Sequence, residues 1–290
     1  MDSVVQYLLN HSRLEITLVR IKDCTADSFN VSIECQITAT GPVGSIIEAM
    51  LVDLVYLDRE FGKMLLPRTK TRFNGAHVQF YDQTIHISDM DIWLRMLSDL
   101  THNEKLVYQL RNGEAKLKGP FGTKAQCGYN KDIRVLGMNG FPALIKDVDQ
   151  DEEGGKKKVT MTFRNLSTFE IDYGPSTVFE IQEGGEEEGK QWRTIARLKG
   201  DFFTKRGEFH VPFEVETVSL DDDDETTDHH ANGNGEMNGI SPAAKKLGLD
   251  VEKTYYFQGI RTENEGSWTN EAIKFIRSPL LLTEKFIALY

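Results

Sequence analysis

The densest run of residues able to do chemistry is Asp221, Asp222, Asp223, Asp224, Glu225, Asp228, His229 and His230, in the stretch DDDDETTDHH. Carboxylates and imidazoles in that number could hold a divalent ion. A calcium loop, however, alternates its ligands around a glycine turn, and this run has neither feature. It reads as a solvated acidic stretch, and no metal site is expected. His77 and His86 flank Asp82 in HVQFYDQTIHI. A separation of nine places the two imidazoles on opposite faces of a regular strand, so a shared catalytic site is not expected. Asp89 and Asp91 stand at the head of a helical pattern, where their charge suits the macrodipole better than an acid/base role.

The remaining reactive groups are sparse. Cys24, Cys35 and Cys127 make neither a disulfide framework nor a C-x-x-C zinc spacing. Cys35 lies on the apolar face of an alternating strand and reads as a small buried thiol. This usage suits a reducing compartment, and a cytoplasmic location is expected. The chain contains no phosphate loop, no G-x-G-x-x-G, no H-E-x-x-H and no G-x-S-x-G. NGNG and EGGEEEG are glycine-rich, but neither joins a strand to an apolar helix as a phosphate cradle requires. Trp93 reads as core, and Trp192 and Trp268 as core or rim. An aromatic-lined pocket between the two halves of the chain is an open alternative. No catalytic residue and no cofactor is expected, and the ligand-binding residues are unknown at this stage.

The elements that position these groups are mostly strands. Phe29, Val31, Ile33, Cys35 and Ile37 alternate with polar residues before Gly41-Pro42 ends the run. Leu14, Ile16 and Leu18 alternate too, and the apolar phase then slips to Val19 and Ile21, which predicts a bulge or a strand buried on both faces. Residues 46–57 suit a central strand, DREFGK a turn, KMLLP a short strand and HVQFYDQTIHI another strand. KLVYQLRNGEAKL and IRVLGMNGF add two more. One helix is expected from Ser88 or Asp89, with Met90, Trp93, Leu94, Leu97 and Leu100 forming its apolar face.

Residues 146–158, KDVDQDEEGGKKK, read as a charged linker. The strand pattern restarts at Val159, Met161 and Phe163 and continues through NLSTFEIDYGPS, TVFEIQ, WRTIARL, EFHVPFEV, TYYFQGI and EAIKFI, about seven short strands. Such spacing suits a sandwich or barrel. Residues 219–246 hold no aromatic residue and few aliphatic ones, and they read as a disordered insertion.

The first 145 residues resemble a fungal domain family of unknown function related to the type 2 late-embryogenesis-abundant (water-stress) domains. The resemblance is carried in order by VVQYLLNHSRLEI, CTADSFNVSIECQITATGPV, VDLVYLDREFGKMLLP, ISDMDIWLRMLSDL and VLGMNGF. It implies an antiparallel β-sandwich with an immunoglobulin-like outline and supplies no catalytic residue. The second half, in TFRNLSTFEIDYGPSTVFEIQE and QWRTI, resembles intracellular immunoglobulin-like domains. The expected fold class is therefore mainly β: two tandem antiparallel β-sandwiches, residues 1–145 and 159–290, with one amphipathic helix in the first.

With 290 residues, 39% hydrophobic and 27% charged, the chain can bury a sizeable core. Its net charge of −11, without a dense basic block, disfavours nucleic acid as a partner. No stretch approaches the ~20 apolar residues of a membrane span, and no basic n-region precedes an apolar run, so no signal peptide is expected. The expected function is binding of a protein partner or an apolar small molecule without catalysis. The alternative is a cofactor-independent cyclase or isomerase of a fungal secondary-metabolite pathway, which could work by positioning alone.

Overall fold

Alternating apolar residues need two surfaces facing each other, and the chain supplies them as three sheets. The computed structural model describes residues 6–7, 11–39, 44–73, 75–119, 123–150, 157–184, 191–218, 244–245 and 247–290. The first sheet runs β12-β1-β2-β7, from Phe169–Ile171, Arg13–Lys22, Ser28–Thr38 and Ala76–His86. The second runs β5-β4-β8-β3-β6, from Arg59–Leu66, Met50–Tyr56, Lys105–Lys118, Ile46–Ile47 and Thr69–Lys70, and β9 (Lys124–Leu136) pairs with β8. The inward faces of these two sheets meet as a sandwich. The expected phase slip in β1 is a bulge: Ile16 faces Cys35, but Leu18 faces the very next residue of β2, Glu34.

DREFGK is not a turn. Leu57 and Asp58 alone reverse the chain, both with positive φ (48° and 61°), the backbone of a two-residue hairpin, and Arg59 already begins β5. The helix α1 spans Met90–His102 and is capped by Asp89, whose carboxylate accepts from the Ile92 N–H. Trp93, Leu97 and Leu100 are buried as the spacing implies, while Met90 and Leu94 are only partly so, and Ile92 and Met96 are buried in addition. The apolar face is rotated because α1 packs against the second half of the chain as well as the first sandwich.

The third sheet has seven antiparallel strands in the order β10-β11-β15-β14-β13-β16-β17, from Ala143–Gln150, Lys157–Asn165, Gly207–Thr217, Arg193–Gly200, Thr177–Glu183, Thr254–Arg261 and Arg277–Leu281. Its outermost strands, β10 and β17, come into contact, so the sheet curls around its own core. That core is phenylalanine-rich: Phe163, Phe179, Phe202, Phe213 and Phe257 are all essentially inaccessible, with Phe179 stacked on Phe257 at 4.3 Å. EAIKFI is not a strand. Its first five residues lie in α2 (Thr269–Ala272) and a 3₁₀ turn (Ile273–Phe275), and Ile276 follows in extended backbone. The strand is RSPLL, which pairs on one side only, with β16, an edge position that tolerates Pro279. A last short helix, α3, covers Glu284–Ile287.

The charged stretch at 146–158 is not a linker where it is described. Residues 146–150 end β10 and 157–158 begin β11, and the two pair as a hairpin from Ala143↔Phe163 to Gln150↔Lys157. Of the expected insertion at 219–246, only Ala244 and Lys245 are among the described residues, and Ala244 is buried. Most of the N-terminal helical pattern, Gly41-Pro42 and EGGEEEG beyond Gly184 lie outside the described residues.

The two halves share a ladder and an aromatic cluster. β12, from the second half, runs parallel to β1 and pairs Val19↔Phe169, Arg20↔Glu170 and Ile21↔Ile171. Trp93 stacks on Phe29 at 4.6 Å and meets Trp268 edge-on at 5.3 Å. Trp268 also donates its Nε1–H to the Ser28 carbonyl. The buried apolar residues of both halves form one continuous cluster.

Candidate functional site

Strand alternation sends Ile33, Cys35 and Ile37 of β2 and Val78 and Phe80 of β7 toward the second sheet. Met50, Met64, Tyr108, Leu110 and Tyr129 face them from β4, β5, β8 and β9. Between them lies an apolar cavity with about 40 Å³ of open space, extended at one end by Leu14, Leu66, Pro67 and Thr69. A second cavity of the same size lies deeper, lined by Val31, Phe61, Ile85, Met96, Phe169 and Trp93 among others. Ile33, Met64 and Tyr108 line both, so together the two make one slot through the sandwich, pinched in the middle. Phe169 brings the second half of the chain into its inner wall.

Space of this size admits a water or a methyl group as it stands. A longer guest must displace side chains, and the wall offers Met50, Met64 and Met96, whose unbranched chains adapt readily. The polar groups of the slot are few and neutral. Burial raises the Tyr108 and Tyr129 hydroxyls well above the ordinary tyrosine range and pushes the Cys35 thiol up to about 11. Trp93 lines the inner end, and its Nε1–H is buried with no hydrogen-bond partner among the described residues. A buried donor left unmatched costs about 1–3 kcal/mol. These groups can donate to a carbonyl or hydroxyl oxygen. They do not favour an anion, which the apolar wall would leave poorly solvated. Among the described residues, neither cavity is lined by a carboxylate, histidine or lysine.

The residues singled out by type are not brought together. A bulge in β7 supplies one extra residue, with Val31 opposite Gln83 and Ile33 opposite Phe80, and Asp82 takes φ 53° there. The bulge overturns the expectation of opposite faces: His77 and His86 are both exposed. They stand at opposite ends of the strand, roughly 30 Å apart at ~3.3 Å per residue. Asp82 pairs with Lys22 at 3.0 Å. Asp89 caps α1 and pairs with Arg59, and Asp91 is exposed in the first turn. The Asp221–His230 run lies outside the described residues, and the described residues hold no group of three or more metal-ligating side chains. Among the described residues no disulfide joins Cys24, Cys35 and Cys127. Trp192 is a rim residue, with the Arg277 guanidinium 4.1 Å from its ring centre. Between the halves the aromatic rings fill the space against one another, and the open slot lies beside them, inside the first sandwich.

Sequence reasoning left Tyr108, Tyr129 and Met64 unmarked. Their inward positions are readable from alternation; which residues they face across the sandwich depends on how the sheets stack. No helix among the described residues is long and apolar enough to cross a membrane.

Residues 59–178 match a family described as a protein of unknown function, DUF3712. The matched stretch begins at the first residue of β5 and ends in β13, so it takes in α1, Tyr108, Tyr129 and the β12 strand that joins the halves. The match begins later than the resemblance expected over residues 1–145 and continues past its end. No curated protein matches the chain. Among solved structures the chain is similar to the Salmonella enterica SafA pilin in complex with the SafB chaperone, at 11% identity over 71% of this chain and 96% of that one, with a TM-score of 0.17. It is also similar to the BSP domain of a biofilm associated protein, at 8% identity over 93% of this chain and 58% of that one, with a TM-score of 0.15.

Proposed function

We propose that the first sandwich binds a neutral, mainly apolar small molecule carrying a carbonyl or hydroxyl group, without catalysing a reaction. The supporting observation is the unmatched Trp93 Nε1–H in an apolar slot whose other polar groups are also neutral. With this goes a wider reading, of a cytoplasmic binding protein related to the fungal water-stress domains whose second half is immunoglobulin-like in outline. Three cysteines without a disulfide among the described residues support that compartment.

Calorimetry of the full chain with 2-decanone, decane and decanoate tests the ligand class. The ketone is expected to bind more tightly than either, and Trp93→Phe to remove its advantage over decane. Equal binding of ketone and decanoate would contradict the reading. Chemical change of a bound guest, followed by mass spectrometry, would favour the cyclase or isomerase alternative. A protein partner is the second reading: Leu51 and Leu65 lie opposite each other on β4 and β5, with 54% and 50% of their surfaces exposed.

A further inference from the structure

A second groove lies on the seam between the halves, distinct from the apolar slot and of different chemistry. It is open to solvent along its length and offers about 710 Å³ between β1, the β8–β9 hairpin and the loops carrying Thr168 and Arg206. Its wall holds three cations, Lys105, Arg134 and Arg206, and one carboxylate, Glu15, in a chain whose net charge is −11; Lys105 also pairs with Glu104 at 3.4 Å. Cation and apolar residue alternate across the hairpin: Lys105 faces Leu136, and Val107 faces Arg134. Val107 and Leu136 are 47% and 43% exposed.

One further feature marks the groove as more than a solvated patch. Arg206 is held in place, its Nη1 donating to the Thr17 carbonyl at 2.9 Å and its backbone N–H to the Glu170 carboxylate.

We propose that this groove binds an organic phosphate monoester with a short apolar tail. A phosphate carries ≈ −1.5 to −2 charge at neutral pH, which suits three cations better than a single carboxylate would. Arginine matches its oxygens with paired N–H donors, and Val107 and Leu136 cover the first carbons of the tail. The volume is within the usual range for small-molecule sites.

The test is calorimetry of the full chain with octyl phosphate, octanol and inorganic phosphate, beside sedimentation with phosphatidylcholine vesicles containing phosphatidic acid. Octyl phosphate is expected to bind saturably, more tightly than inorganic phosphate, and more weakly as salt is raised. Arg134→Gln is expected to weaken it about tenfold or more, the usual scale for a hydrogen bond to a charged group. Binding that depends on Arg134 supports a soluble source if vesicles are ignored and a lipid headgroup if they are also bound. No saturable binding of octyl phosphate, binding unchanged by Arg134→Gln, or vesicle binding alone would overturn the proposal. Tyr108→Phe, in the apolar slot, should leave octyl phosphate binding unaltered, so failure here and failure of the apolar site are distinguishable.

Discussion

Truncating Trp93 is expected to destabilise the whole chain, whereas replacing it by phenylalanine should cost little. The ring is 1% exposed and packs on Phe29, Phe61 and Trp268 at 4.6, 5.5 and 5.3 Å. Removing such a ring to alanine costs about 3–5 kcal/mol. At about 2–4 °C per kcal/mol for a large domain, the melting point should fall by roughly 6 °C or more. In Trp93→Phe most ring contacts remain, and the change removes an N–H that has no partner. Relief of that unmatched donor, about 1–3 kcal/mol, offsets the lost apolar area, so the net cost should stay below about 1.5 kcal/mol. Because Trp93 joins both halves, circular dichroism and the fluorescence of the remaining tryptophans should report one shared transition in urea. A Trp93→Ala cost under about 1 kcal/mol would refute the clamp. Trp93→Phe as costly as Trp93→Ala would show that the N–H is matched after all.

Other outcomes follow from the same contacts. Asp89→Ala should cost about 0.5–2 kcal/mol as a lost cap, and Asp91→Asn only tenths, both read by thermal melts. Residues 1–145 expressed alone lack β12 and Trp268, and should lose the cooperative melt of the full chain; a native-like melt of that piece would show that the seam is dispensable. Burial raises the folded-state pKa of Tyr108, Tyr129 and Cys35 above their ordinary values of 10, 10 and 9. The unfolded chain therefore gives up protons first, and stability should fall as pH rises above about 9. Urea midpoints at pH 7, 9 and 10.5 check this, and a flat or rising profile would contradict it.

Much of the fold is legible in single strands and little of it in their company. Alternation alone places β1, its bulge, β2 and the inward Phe and Val residues of β15. The cap at Asp89 follows from residue type. The hairpin at Leu57-Asp58 is hidden because neither glycine nor asparagine marks it. RSPLL is hidden because proline argues against a strand unless the edge is known. The charged arms of β10 and β11 read as a linker because both strands face solvent there and carry little apolar signal. The candidate slot depends on Tyr108 and Tyr129 of one sheet facing Cys35 of the other, and on a three-residue parallel strand, Phe169–Ile171, completing the inner end. Neither relation leaves a local pattern in the sequence.

Methionine methyl groups give the most direct test of the apolar-ligand account. Met50 and Met64 line the outer cavity, and Met64 and Met96 the inner one, while Met138 and Met161 are buried elsewhere in the core. In the full chain carrying ¹³C-methyl methionine, titration with 2-decanone should shift Met50, Met64 and Met96 together and leave Met138 and Met161 in place. Shifts at Met138 and Met161 of equal size, or no saturable change at Met64, would contradict the account.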